Sequence, residues 1–358
     1  MQGKTLSNRY RILQEISSDA LNVIYKAEDL NENNRPVAVR FLKEKARQRP
    51  LETLLRFKRA INQVISFSHP NFLKVFSHQE FEGEDYWVVE YFEGKPLSVI
   101  LDSQPLGVDA AVEIILQTAS ALEGIHQKEL LHQNIQPGSI LIKQEKEVSL
   151  KLADFGLNIL MDISRVSEPQ EVVSIFGYMA PESTGILRKP IDSRSDIYSL
   201  GILFYRMVTG SLPYDATDAA TLIHQHIAQK PIVPSKLNDR IPLVLENIIL
   251  RLIAKEPQER YQSLSGLIVD LKEYQEQRLE GKSPIDFEIA RSDRLAQISF
   301  SSTLIGRDEE MARLNQMLGN AKDGRGSLCF VFGEPGIGKS RLVDELRGRI
   351  HSLGGLFV

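Results

Sequence analysis

Apolar residues along this chain recur in two rhythms, and the change falls near Gly94. Before it, short runs at 11–16, 23–27, 37–42, 72–77 and 86–91 are rich in Val, Ile, Phe and Tyr. Clusters of Asn, Asp, Glu and Gly separate them, the pattern of β-strands joined by turns. Between the third and fourth runs, residues 51–67 carry Leu51, Leu54, Leu55, Ile61, Val64 and Ile65 at helical spacing. After Gly94, residues 108–127 place Val112, Ile115, Leu116, Ala119, Leu122 and Ile125 on one helical face, and 196–209 and 243–254 are similar. A small β unit with one helix, then a larger helical unit, predicts an α+β chain of two lobes, and a cleft between lobes is a favoured ligand site.

Periodicity fades after the helical stretch 271–280, and residues 276–303, mixed in Ser, Gly, Pro and charge, read as a linker. A new unit is expected over 304–358. No internal repeat, coiled coil or low-complexity tract is evident.

Composition narrows the function classes without naming one. The 358 residues leave room for two domains, and 42% hydrophobic with 25% charged residues is the mix of an ordinary globular protein. A net charge of −4 advertises neither a nucleic-acid nor an anionic-membrane surface, so no partner of either kind is expected. One cysteine, Cys329, excludes an intrachain disulfide and a Cys-rich metal cluster, and fits a cytoplasmic, reducing setting. The opening residues MQGKTLSNRY lack the apolar core expected of a signal peptide, and no apolar run approaches the roughly 18 residues of a membrane span.

Three strings stand in fixed order in the helical half: His132-Gln133-Asn134, Asp154-Phe155-Gly156 and Ala180-Pro181-Glu182. With Val37-Ala38-Val39-Arg40 before them and Asp196 and Arg260 after, the chain from about 10 to 274 resembles the eukaryotic-type protein kinase domain of bacterial Ser/Thr kinases. The resemblance implies a bilobal fold, with an antiparallel β lobe at 10–92 after a lead at 1–9, and a helical lobe at 93–275. It also implies ATP, Mg²⁺ and transfer to protein hydroxyls.

Carried over residue by residue, the resemblance finds the chemical apparatus replaced. The three glycines that let backbone amides approach phosphates align with Ser17, Asp19 and Asn22. Asp19 is expected to set a carboxylate against polyphosphate. The phosphate-reaching lysine aligns with Arg40, a planar cation unsuited to a point-charge site, and its glutamate partner with Ala60. Asn134 replaces the aspartate base, and an amide cannot accept that proton. Gln136 replaces the lysine beside it, Ser139 the metal-binding asparagine, and Ile175 the substrate-orienting threonine. Asp154, the Mg²⁺ aspartate, remains in place. So do the structural positions: His132 and Phe155 of the spine joining the lobes, Asp196 bracing the catalytic loop, and Glu182 with Arg260 as a buried ion pair. Chemistry lost on a scaffold kept is the pattern of a pseudokinase, and ATP is expected to bind its cleft weakly or not at all.

The second unit carries Gly333-Glu-Pro-Gly336-Ile-Gly338-Lys339-Ser340, a Walker A motif after the apolar run 327–332, read as a strand, and before a helical stretch at 341–351. Its amides would cradle phosphates at the helix N-terminus, Lys339 would reach the β and γ phosphates, and Ser340 would ligate Mg²⁺. With Leu304-Ile-Gly-Arg-Asp-Glu-Glu310 it resembles the start of the signalling AAA-like ATPases, as in large bacterial proteins that join a kinase-like domain to such an ATPase and to sensor modules. The sequence reads as a fragment whose α/β P-loop domain is incomplete, so ATP and Mg²⁺ at this site are expected of the intact parent. The expected partners are its downstream domains or other proteins.

Plainer roles are weighed beside these. His132 and His69 read as packing residues, and His126, His224 and His226 lack partners at metal-ligand spacing. Cys329 reads as a small buried hydrophobe. The basic run 43–49 reads as a solvated loop entering a helix, and Ser164, Ser167 and Ser174 as exposed serines open to phosphorylation in trans. Two functions stay open: a catalytically impaired regulatory module, and an active atypical Ser/Thr kinase dependent on Asp154.

Overall fold

The structure is a computed structural model. It describes residues 1–293 except 20, 104, 145–147, 162–168, 188 and 284, and in the remainder residues 307–322, 324–326, 328–333, 339 and 342. The chain divides into two units, Met1–Asp293 and Arg294–Val358.

The first unit opens on antiparallel strands β1 (Thr5–Leu6), β2 (Tyr10–Ser18), β3 (Asn22–Asp29), β4 (Arg35–Leu42), β5 (Val75–Phe81) and β6 (Glu84–Glu90). They form one sheet in the order β1-β2-β3-β4-β6-β5. Side chains alternate between the faces of a strand, and β4 uses both. Val37, Val39 and Phe41 join Tyr10, Tyr86 and Val88 in a small core, whereas Ala38 and Leu42 belong to the main core on the opposite side. Arg40 shares the Ala38 face, which is what aims it at the cleft.

Helix α1 is a single turn, Glu44–Arg47, and α2 runs over Leu51–Val64. Phe57, Ile61 and Val64, at successive turns, are its buried residues, and Phe57 meets Trp87 of β6 edge to face at 5.3 Å. Strand β7 (Lys95–Pro96) and the short helix α3 (Leu97–Leu101) lead into α4 (Val108–His126). Strands β8 (Ile140–Gln144) and β9 (Val148–Leu152) complete a small sheet in the order β7-β8-β9.

Helices α5 (Pro169–Phe176), α6 (Ser193–Thr209), α7 (Ala219–Ala228), α8 (Leu243–Leu252) and α9 (Leu264–Leu279) build the rest of the lobe. Helix α6 is buried almost all round, as expected of a central helix. Gly201 lies so close to α8 that a Cβ there would fall 2.5 Å from Leu252 Cβ. One hydrophobic core runs without a break from Ala38 and Trp87 of the β lobe to Leu271 of α9.

The structure adds detail to the expected bounds and departs from the expected strand at 327–332 and buried Cys329. The lead at 1–9 contains β1, whose Leu6 is fully buried against β2. The first unit runs on past 275 to Asp293: Asp270 of α9 accepts hydrogen bonds from Tyr261 Oη (2.5 Å) and Ala290 N (2.7 Å). Asp293 accepts from Gln262 N (2.7 Å) and Ser263 Oγ (2.8 Å). These bonds hold the first part of the expected linker on α9. In the second unit, no strand is assigned over the described residues 328–333, and Cys329 is exposed. Leu328, Phe330 and Phe332 are 80%, 68% and 86% exposed, because among the described residues nothing covers the apolar run. A helix, Asp308–Lys322, precedes it.

Candidate functional site

The cleft of the first unit holds about 590 Å³, within the usual range of a small-molecule site. It gathers residues far apart in sequence: Asp19 and Asn22 from the β2–β3 turn, Arg40 from β4, Asn134 and Gln136 from the loop after α4, and Asp154 after β9.

The turn is closed by Asp19. Its Oδ1 accepts from Leu21 N (2.7 Å) and Asn22 N (2.8 Å), and its Oδ2 from Asn22 Nδ2 (2.7 Å). Amides that a glycine-rich loop would turn to a phosphate are therefore already bonded to a carboxylate of the same turn. A second negative charge 4 Å away would be opposed by about 1 kcal/mol in water and about 4 kcal/mol at an effective dielectric near 20.

Arg40 Nη1 donates to Asp154 Oδ1 at 2.5 Å, and the Arg40 side chain is 7% exposed against 24% for Asp154. The aspartate sits at φ 63°, where non-glycine residues are uncommon. Ala60 of α2 lies near the loop after Asp154, where a Cβ on Gly156 would sit 3.6 Å from the Ala60 methyl. Arg40 thus turns to the carboxylate that would hold metal.

The loop residues bond to one another. Gln136 Nε2 donates to Asn134 Oδ1 (3.0 Å), and Asn134 Nδ2 lies 3.5 Å from Asp154 O. Ser139 Oγ accepts from Gln136 N (3.2 Å) and donates to Gln136 O (2.9 Å), a capping box that absorbs the metal-asparagine position. Ile175 lines a separate cavity of about 190 Å³ together with Asn134, Gln136, Ser174 and Tyr178. Ser164 and Ser167 lie outside the described residues.

The structural positions are buried and closely partnered. Asp196 accepts from His132 N (2.8 Å) and Gln133 N (2.7 Å), and His126 Nε2 lies 2.8 Å from its Oδ2. His126 thus has the acidic partner that spacing did not reveal. His132 Nε2 bonds Ala153 O at 2.9 Å, and burial pulls its pKa below the ordinary imidazole value. Its ring meets Phe155 edge to face at 5.8 Å, and Phe155 meets Phe72 at 6.1 Å. Glu182 takes two bonds from Arg260, at 2.7 and 2.9 Å, and one from Ser195 Oγ at 2.7 Å. Burial raises the pKa of its carboxyl, but Arg260 outweighs burial and holds it below the ordinary value. Arg260 also donates to the carbonyls of Ala254, Arg194 and Lys255.

Two further features escaped the sequence reading. The basic run is not simply solvated, since Arg49 Nε donates to Leu160 O at 2.9 Å and Arg47 pairs with Glu84. His226 is buried beside Lys255 and bonded to Tyr198 Oη at 2.9 Å, and burial and that charge lower its pKa to about 3.

At the positions where the resemblance places a magnesium-bound triphosphate, the amides of Leu21 and Asn22 are bonded to Asp19, and Arg40 is paired with Asp154. Among the described residues no cluster of His, Cys, Asp and Glu could hold a metal ion, and no helix is long and apolar enough to cross a membrane. In the second unit Lys339 Nζ donates to Gly333 O at 2.9 Å, while Gly336, Gly338 and Ser340 lie outside the described residues.

Comparison with known proteins places this geometry. The family described as protein kinase domain matches residues 10–269, and that described as AAA ATPase domain matches 303–358. A probable serine/threonine-protein kinase of Clostridium perfringens is 34% identical over 273 residues, covering 76% of this chain and 39% of that protein. The serine/threonine-protein kinase PrkC of Bacillus subtilis is 30% identical over 316 residues, 87% of this chain and 46% of that protein. The chain therefore spans less than half the length of either. The PknI kinase domain of Mycobacterium tuberculosis shares the fold, with a TM-score of 0.61 at 22% identity over 76% of this chain and 98% of that one. On its motifs, its lobes and these matches, the chain belongs to the protein kinase domain family, with an AAA ATPase domain match after it.

Proposed function

We propose that this chain is a serine/threonine kinase-fold signalling module that does not transfer the ATP γ-phosphate, and that regulates the P-loop region after it or a protein partner. One observation carries the reading. Asp154, the last carboxylate of the chemical set, is held by Arg40 at 2.5 Å, while the base position presents the amide of Asn134. Phosphoryl transfer depends on positioned cations and an oriented hydroxyl, and neither is supplied by this arrangement. The intact anchoring bonds of Asp196 and Glu182 support a role that uses the folded lobes.

The relatives are named serine/threonine-protein kinases, which favours a second reading, an active atypical kinase. Incubating the full chain with γ-labelled ATP, Mg²⁺ and a generic protein substrate separates the two. The expected result is no incorporation above that of the Asp154→Ala variant. Incorporation that Asp154→Ala abolishes establishes the second reading. ATP hydrolysis lost in Lys339→Ala belongs to the P-loop and bears on neither.

A further inference from the structure

We infer that residues 285–293 are a strap that docks on the helical lobe and releases from it as one piece, and that its docking is coupled through Gln262 and Arg260 to the segment ending at Glu182. The strap gives the regulatory module proposed above a route to the P-loop region, and the inference rests on that reading.

No helix or strand is assigned over 285–290, yet Ile285 and Ala290 are buried in the main core while Asp286 and Glu288 are exposed. Attachment is made at separate points. Ala290 N donates to Asp270 Oδ2 at 2.7 Å, and Asp293 accepts from Gln262 N (2.7 Å) and Ser263 Oγ (2.8 Å). Ser263 also caps α9 by accepting from Gly266 N at 3.2 Å. Asp293 thus sits at the N-terminus of that helix, where the helix dipole favours a carboxylate. Ala290 holds φ 56°, a region uncommon for residues other than glycine. Backbone of that kind persists while its surroundings hold it and relaxes once they let go. A segment with two buried apolar anchors and no helix or strand of its own belongs to the low end of local stability.

The dock is continuous with the Glu182 anchor. Gln262, whose N–H reaches Asp293, donates from Nε2 to Arg260 O (2.8 Å) and accepts from Arg194 Nη1 (3.1 Å). Arg260 in turn holds Glu182 and the carbonyl of Arg194. A connected set of hydrogen bonds carries coupling when an element within it has two arrangements, here docked and released. Asp293 is also the last residue of the first unit, so displacement of the chain after it bears on the dock through the backbone.

Gly266 supplies a test from the lobe side. A Cβ there would fall 2.6 Å from Asp293 Oδ1, so Gly266→Ala must move the carboxylate while favouring α9 by helix propensity. Ile285→Ser loosens the other end of the strap and alters none of the hydrogen-bonding atoms around Gln262. The measurement is amide hydrogen exchange of the full chain under native conditions, read peptide by peptide. In both variants, residues 286–293 and 260–263 are expected to exchange about tenfold faster or more, and α4 at an unchanged rate. Residues 174–179, where Gly177 N and Met179 N donate to Val173 O and Phe176 O, should exchange about threefold faster.

Faster exchange confined to the substituted end overturns release as one piece. An unchanged rate at 174–179 overturns the coupling. An equal rise in α4, matched by a loss of urea stability followed by Trp87, the only tryptophan of the chain, makes the strap part of the global unfolding unit and overturns the inference. Should one variant fail to fold, the other decides, and failure of both to fold has the same meaning as the rise in α4. Phosphate incorporation by the unsubstituted chain would overturn the regulatory reading and leave these rates as they are, so the two fail separately.

Discussion

The anchoring set and the cleft set lie in one continuous fold and treat polar groups in opposite ways. Glu182 and Arg260 are 1% and 0% exposed at the side chain, and Arg260 reaches three backbone carbonyls besides its carboxylate partner. In the cleft, Asn134, Gln136 and Asp154 are only partly buried and bond to one another or to Arg40. A buried ion pair that loses a partner leaves a charge without water, a cost of about 3–5 kcal/mol. Partly solvated pairs are worth far less, because water replaces what a substitution removes. The two regions therefore differ in what changing them does to the fold: the chemistry at 134 and 136 can be exchanged with little structural consequence, and the anchor at 182 and 260 cannot.

The largest effect that tests this contrast is Arg260→Met. Chemical denaturation followed by Trp87 is expected to show a loss of about 3–5 kcal/mol, since Glu182 is left charged and buried. Trp87 reports it although it sits in the other lobe, because one core joins the two. A loss below about 1 kcal/mol would place the anchor in the same class as the cleft and erase the distinction.

A smaller effect comes from protons. Burial lowers the pKa of His226 to about 3, and burial also lowers those of His69, His78 and His132. The unfolded chain takes up protons at these imidazoles below about pH 6.5 while the folded chain refuses them, so stability is full above that pH and falls on acidification. Each fully buried imidazole contributes up to roughly 1.4 kcal/mol per pH unit in that window. Urea midpoints from Trp87 should fall between pH 7.5 and pH 5, and His226→Gln should flatten the slope by its share. An unchanged slope in that variant would show that His226 takes up its proton while folded.

Much of this was legible in the sequence, and the rest has identifiable physical reasons. Strand alternation and helical periodicity marked the β lobe, α2 and α4, since burial of one face writes itself into the order of residues. The strand expected at 72–77 lies instead at Val75–Phe81, because Phe72 and Leu73 are apolar for packing and Phe72 makes only an isolated bridge with Leu152. Residues 280–293 read as linker because Asp270 and Asp293 hold them through hydrogen bonds that leave no periodic mark. The replaced residues of the cleft were visible as replacements. That Arg40 turns to Asp154, and that Asp19 takes the amides of Leu21 and Asn22, depends on side-chain direction, which residue order does not carry.

The finest test of the contrast is the Arg40–Asp154 pair itself. Arg40 lies deeper than Asp154, so the pair falls between the exposed and fully buried cases. A double-mutant cycle with Arg40→Met, Asp154→Asn and the double variant, each unfolded in urea and followed by Trp87, measures the coupling apart from the packing of either side chain. The expected coupling is about 1 kcal/mol, and because Asp154 remains partly solvated it should shrink in high salt. Coupling above about 3 kcal/mol, insensitive to salt, would make the pair an anchor like that of Glu182 and Arg260. The cleft would then be a structural element in its own right, and the pairing of Asp154 with Arg40 a requirement of folding.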